Sequence, residues 1–216
     1  MRGEERSVRS SRISYNLRHA SVRATGEFGL SIERLPSVAL HAERPLGRRF
    51  AALGLSEYRE AARHVRNLPY GRNSDRSEWR LVLEERRGTC STKHALLADL
   101  ARENGLPVAL MLGVYEMDGA NTPGVGAVLR EHGLWCVPEA HCYLAHEGAR
   151  VDLTRERGVA EQIEGFLHEE EIEPHQIGEY KVQAHREFVR RWAGCRGLDP
   201  AQVWHVREEC IAALAD

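Results

Sequence analysis

A thiol, an imidazole and a carboxylate recur in this chain in an order that suits acyl transfer. Gly88-Thr89-Cys90 opens a helix-like run, Glu139-Ala140-His141 lies in a strand-like run, and Val151-Asp152-Leu153-Thr154 follows after a short turn. A free thiol has a pKa near 8.5 and needs a helix N-terminus or an imidazole to become a thiolate, and the imidazole needs a group to orient it. Cys90, His141 and Asp152 are the candidates for nucleophile, base and orienting carboxylate.

The elements that must position these residues follow from local signals. Residues 56–67 read as a capped amphipathic helix that stops before Leu68-Pro69, because the residue before proline avoids the helical region. After a loop at 71–75, residues 76–87 read as a second helix with Gly88 as its left-handed terminator. Thr89 is an N-cap for a third helix, whose apolar face runs through Ala95, Leu96 and Leu100 to Asn104-Gly105. Residues 107–115 are a buried strand, and 118–126, with three glycines and a proline, a loop and a candidate lid. Strands at 140–145 and 150–153 are joined by a tight turn at Glu147-Gly148, which sets His141 and Asp152 close across the hairpin. Beyond Thr154 the composition turns to charged helical segments, with helices expected over 180–192 and from Asp199-Pro200 to Leu214. The run Glu169 to Glu171 reads as a solvated face.

These residues carry a resemblance to the transglutaminase-like superfamily of cysteine acyltransferases and peptidases. It rests on Leu68-Pro69-Tyr70 after a helix, Arg87-Gly88-Thr89-Cys90 opening a helix, Asn104-Gly105-Leu106-Pro107 leading into a strand, then Ala140-His141 and Val151-Asp152-Leu153-Thr154 on successive strands. The resemblance spans roughly residues 55–155. It implies an α+β fold with a papain/transglutaminase-like core, the Cys-bearing helix packed on an antiparallel sheet, and a helical C-terminal extension. It also implies a Cys90-His141-Asp152 triad acting on a peptide or small amide without a cofactor, with Trp79 and Tyr70 as the upstream candidates for an oxyanion donor. The chain departs from the family in reading His141-Cys142-Tyr143 where members commonly carry His-Ala-Trp. The expected organisation is an N-terminal extension over 1–45, partly strand or flexible, a core over 46–155, and helices over 156–216.

Composition narrows the partners. Thirty basic and thirty-two acidic side chains leave a net charge of −2, which gives no global attraction for nucleic acid or an anionic membrane. The basic residues are almost all arginine: Lys93 and Lys181 are the only lysines, so lysine chemistry is nearly excluded. Five cysteines without a Cys-x-x-Cys pair, and no hydrophobic leader, point to a reducing cytoplasm. The longest apolar stretch, 106–114, is too short to span a bilayer.

Two other readings compete. A zinc site could draw on His141, Cys142 and His146 with Cys90 and His94, but His141 and Cys142 are consecutive in a strand and point to opposite faces. A non-catalytic interaction module could keep the fold and use its helical tail. His94, one turn after Cys90, either lines the site and tunes the thiolate or projects to solvent from the helix, and the second reading is the one preferred.

Overall fold

The computed structural model describes residues 28–29, 32–155, 163 and 165–214. Of the extension expected over 1–45, residues 1–27, 30 and 31 lie outside them. The chain is α+β: a mainly antiparallel sheet carries helices from both halves of the sequence.

Among the described residues five strands make the sheet: β1 (Phe28–Gly29), β2 (Ala109–Met117), β3 (Val137–His146), β4 (Ala149–Val151) and β5 (His168–Ile172), in the order β1-β4-β3-β2-β5. β2, β3, β4 and β5 pair antiparallel, while two-residue β1 joins β4 in parallel. The strand expected at 107–115 begins and ends two residues later. The turn at Glu147-Gly148 forms as its residue types suggest, both members having positive φ (48° and 77°), as a two-residue hairpin of the primed kind requires.

β5 was not anticipated. Its His-Glu-Glu-Glu-Ile sequence lies in the stretch expected to be helical, yet it pairs with β2 from Leu110↔Ile172 to Val114↔His168. As an edge strand it can carry charge on both faces, and its acids are engaged: Glu169 meets Arg150 (2.7 Å) and the Tyr143 hydroxyl, and Glu170 accepts from Tyr180 (2.8 Å).

Among the described residues seven α-helices surround the sheet. α1 (Pro45–Ala51) receives the Glu103 carboxylate on its Leu46 and Gly47 N–H groups, at 2.9 and 2.7 Å. α2 (Tyr58–Asn67) is capped by Glu57 rather than Ser56, with the Glu60 carboxylate returning to the Glu57 N–H, and it stops at Leu68 before Pro69. α3 is only Leu81–Glu85, not the whole of 76–87. Its left-handed terminator is Arg86 (φ 55°), and Gly88 instead bridges to Tyr70. The glycine there is required by close approach: a Cβ would meet the Lys93 and Val82 side chains at 2.9 Å.

α4 (Cys90–Glu103) runs through the centre, with every residue from Ser91 to Ala101 buried. Its Leu96, Leu97 and Leu100 pack with Leu110, Leu112, Val114, Cys142 and Leu144 of the sheet. A second cluster, Tyr115, Met117 and Val137 with Val189, Trp192, Val203 and Val206, joins the sheet to α5 (Gly126–Glu131), α6 (Glu179–Gly194) and α7 (Pro200–Ala213). Asp199 caps α7 through the Ala201 N–H at 3.0 Å, ahead of Pro200. Among the described residues no helix is long and apolar enough to cross a membrane.

Candidate active site

Cys90 sits at the first position of α4, where Thr89 caps the helix and exchanges contacts with Thr92. Thr92 in turn donates to Asn73 Oδ1 at 2.8 Å, so the helix end is tied to the loop before α3. The pairing of β4 with β3 ends at Leu144↔Val151, and Cys90 comes against the stretch of β3 that this short strand leaves free, interacting with the His141 ring and the Cys142 backbone N–H.

Beyond Val151 the chain turns toward α4. The Leu153 N–H donates to His94 Nε2 at 2.7 Å, and the Thr154 carbonyl accepts from Lys93 Nζ at 2.9 Å. This carries Asp152 under His141, with His141 Nε2 to Asp152 Oδ2 at 2.7 Å. The other Asp152 oxygen accepts from the Thr154 N–H (2.9 Å) and hydroxyl (2.6 Å). In the hairpin register Asp152 continues opposite Tyr143 rather than His141, so the two residues meet as diagonal neighbours. His141 Nδ1 is then the ring nitrogen left for the thiol.

The electrostatics follow from this closeness. Burial pushes the Cys90 thiol up, but the Lys181 ammonium, the His141 ring and the Cys142 N–H together bring it down to about 7. Burial disfavours the His141 cation, yet the Asp152 carboxylate and the Cys90 thiolate outweigh that and hold its pKa well above the ordinary imidazole value. Burial likewise opposes the Asp152 anion, and His141 and the Thr154 hydroxyl keep it well below the usual carboxylate range. Cys136 and Cys210 are pushed up to about 11, by burial first.

His94 is fully buried, contrary to the solvent-facing position expected for it. Its Nδ1 lies 2.8 Å from the Cys90 carbonyl and its Nε2 accepts from Leu153, which fixes a neutral tautomer protonated on Nδ1. Burial lowers its pKa to about 4. The ring ties the start of α4 to the residue after Asp152. A solvent-facing position requires a helix with one polar face, whereas α4 is buried along every face from Ser91 to Ala101.

Of the two oxyanion candidates, Trp79 is buried with its indole N–H committed to Asp99 at 2.8 Å and does not reach the cleft. Tyr70 lines it, its ring covered by the Arg155 guanidinium at 4.2 Å. The cleft beside Cys90 encloses about 90 Å³, and its other walls are Arg76, Lys181, Trp204 and Arg207. The helical tail thus forms part of the site. Loop 118–126 does not line it: that loop is pinned by Asp118 on the Ala120 and Asn121 N–H groups (2.8 Å each) and by Tyr115 on Thr122 (3.1 Å).

Lysine also matters here despite its scarcity. Lys93 Nζ donates to the Arg66, Leu68 and Thr154 carbonyls at 3.2, 2.6 and 2.9 Å. Lys181, from α6, donates to Ser91 Oγ at 2.7 Å, and Ser91 Oγ lies 3.9 Å from Cys90 Sγ. Both lysines of the chain therefore flank the start of α4, and a count of two lysines among thirty basic residues was the only sequence signal for it. Among the described residues no group of His, Cys, Asp and Glu is arranged to hold a metal ion, and the His141, Cys142 and His146 zinc set is not assembled.

Residues 49–147 match the model of the transglutaminase-like superfamily. The match contains Cys90 and His141 and ends just before Asp152. Neither a curated protein nor a solved structure gives a match.

Proposed function

Since residues 49–147 are a transglutaminase-like superfamily domain, we propose that the chain is a cysteine-dependent acyl-transfer enzyme that cleaves an amide or peptide bond. Cys90 is the nucleophile, His141 the general base and acid, and Asp152 the orienting carboxylate. The observation that carries this reading is the pairing of a thiol lowered to about 7 with an imidazole whose far nitrogen is held by a buried carboxylate at 2.7 Å.

The steps follow from the geometry. The thiolate attacks the carbonyl carbon while His141 holds the proton on the Cys90 side. The developing oxyanion takes the Cys90 backbone N–H, which at the first helical position has no partner within the helix, and gains from the partial positive charge of the α4 N-terminus. His141 gives its proton to the leaving nitrogen, the C–N bond breaks and a thioester remains. Neutral His141 then takes a proton from water, hydroxide adds to the thioester, and the acid leaves as the thiolate returns. Asp152 keeps Nε2 protonated throughout and steadies the cationic ring. The cleft opens to solvent, which favours water over an amine as acceptor; deamidation and transamidation use the same intermediate.

The test is alkylation by iodoacetamide at pH 7 followed by peptide mapping, with a panel of peptide amides and glutamine-containing peptides assayed for ammonia or amine release. Cys90 is expected to react first and Cys90→Ala to lose all release. Labelling of Cys195 or Cys210 ahead of an inert Cys90, with equal release by both proteins, would overturn the reading in favour of a binding module that keeps the fold.

A further inference from the structure

Among the described residues the charges around the cleft do not cancel. Four cations line it, Arg72, Arg76, Lys181 and Arg207, against two carboxylates, Glu139 and Glu208. Both carboxylates are already engaged. Arg207 grips Glu139 through Nε (2.5 Å) and Nη2 (2.7 Å), its Nη1 reaches Glu208 at 2.8 Å, and Arg72 shares Glu208 at 3.5 Å. Lys181 and Arg76 have no carboxylate within ion-pair distance among the described residues, and the one hydrogen bond of Lys181 is to neutral Ser91. An ammonium carries three donors, so two remain for a ligand.

In the free enzyme the Cys90 thiolate is one of the negative charges that favour the Lys181 ammonium, and Glu139 is another. Acylation removes the first, because a thioester is neutral, and Glu139 is already gripped by Arg207. On completion of the first half-reaction Lys181 and Arg76 thus face the cleft with less to balance them. The cleft opens to solvent, and the space of about 90 Å³ beside Cys90 admits a compact anion.

We propose that Lys181 and Arg76 form a carboxylate-binding subsite beside the nucleophile, and that the substrate carries a carboxylate close to the amide that is cleaved. The inference rests on the cysteine acyl-transfer reading and adds a substrate class to it. The carboxylate belongs to an acidic side chain or to a free chain end, two sources of one chemistry.

Iodoacetate and iodoacetamide differ by that carboxylate, and the ratio of their second-order rates at Cys90 cancels the thiolate fraction common to both. The wild-type ratio is expected to exceed that of a small free thiol by on the order of tenfold, since an attraction of one unit charge at contact in a partly dried cleft is worth at least that much. Lys181→Met and Arg76→Gln should each lower the ratio severalfold. Arg76 is exposed, so that variant keeps its fold even if Lys181→Met does not. Protection of Cys90 by N-acetylglycine assigns the subsite to a chain end, and protection by the α-amide of N-acetylaspartic acid, whose β-carboxylate is free, assigns it to an acidic side chain. A ratio unchanged in both variants, with Cys90 still alkylated quickly by iodoacetamide, overturns the subsite and leaves the acyl-transfer reading intact. Cys90 inert to both reagents overturns the two together.

Discussion

At the floor of the cleft each charged group has a partner inside the protein, whereas on its walls one cation, Lys181 of α6, faces the thiol and another, Arg76 of the loop before α3, faces open space. Asp152 is bound by His141 and by the Thr154 N–H and hydroxyl, and Lys93 is surrounded by three carbonyls. Lys181 reaches a single hydroxyl, and Arg76 has no ion pair among the described residues. A saturated network holds its members in one geometry, which is what a proton-transfer step needs. Unspent donors on a wall are what a ligand needs. The floor lies within or at the edge of the stretch that matches the superfamily, and α6 and α7 lie outside it. The wall therefore draws on both parts, since Arg76 lies within the matched stretch and Lys181 outside it.

The largest effects should come from the floor. Cys90→Ala should abolish turnover of any substrate found, with the thermal midpoint nearly unmoved because little apolar area is lost. Asp152→Asn should reduce kcat by about 10² to 10⁴-fold, through loss of the tautomer and of the imidazolium. The same variant should move the pH profile of alkylation. In the wild type the thiolate is half formed at about pH 7 and is lost as the pH falls through that value, so the rate should rise with pH through about 7. Without the Asp152 charge His141 titrates lower, the thiolate loses a cation, and the midpoint moves up. An unmoved midpoint would shift the credit for the thiolate from the floor to Lys181.

How much of this was legible in the sequence follows the range of the signals. α4 was readable from both ends because Thr89 and Asn104-Gly105 act over a few residues, and the meeting of His141 with Asp152 because a two-residue turn fixes register. β5 was not, since three consecutive glutamates look solvated until an edge position beside β2 gives them Arg150 and two tyrosines. α3 was overextended because its Trp79 is anchored by Asp99 of another helix rather than by its own periodicity. Lys181 lies ninety residues from its partner Ser91, and no spacing rule reaches that far.

A smaller effect is expected at His94, the link between the start of α4 and the residue after Asp152. His94→Leu leaves the Leu153 N–H without its partner and removes the second, side-chain contact of the Cys90 carbonyl, which should cost about 1 to 3 kcal/mol of stability and lower turnover roughly tenfold by loosening the Asp152 backbone. Because the ring is neutral, with its pKa lowered to about 4, the alkylation midpoint near pH 7 should stay in place. A midpoint displaced by a full unit would mean that His94 acts on the thiol by charge and belongs with the wall cations rather than the floor.

The smallest effect separates the helix end from the side chains around it. Thr89→Ala removes a hydroxyl that accepts from the Thr92 N–H at a long 3.4 Å, but it leaves the Thr89 N–H on the Thr92 hydroxyl at 3.0 Å and that hydroxyl on Asn73 at 2.8 Å. Two of the three contacts that fix the first turn therefore survive, and the loss should sit at the low end of measured caps, about 0.5 to 1 kcal/mol, or roughly 2 °C in the thermal midpoint. The Cys90 N–H stays where it is, so the partial charge of the helix end still faces the thiol. Rates of alkylation should change less than about twofold, a few tenths of a kcal/mol, with the pH midpoint unaltered. If the midpoint rose toward that of an ordinary thiol, the helix end itself would be the main stabiliser of the thiolate, and the contrast between a self-satisfied floor and a charged wall would have to be redrawn around α4.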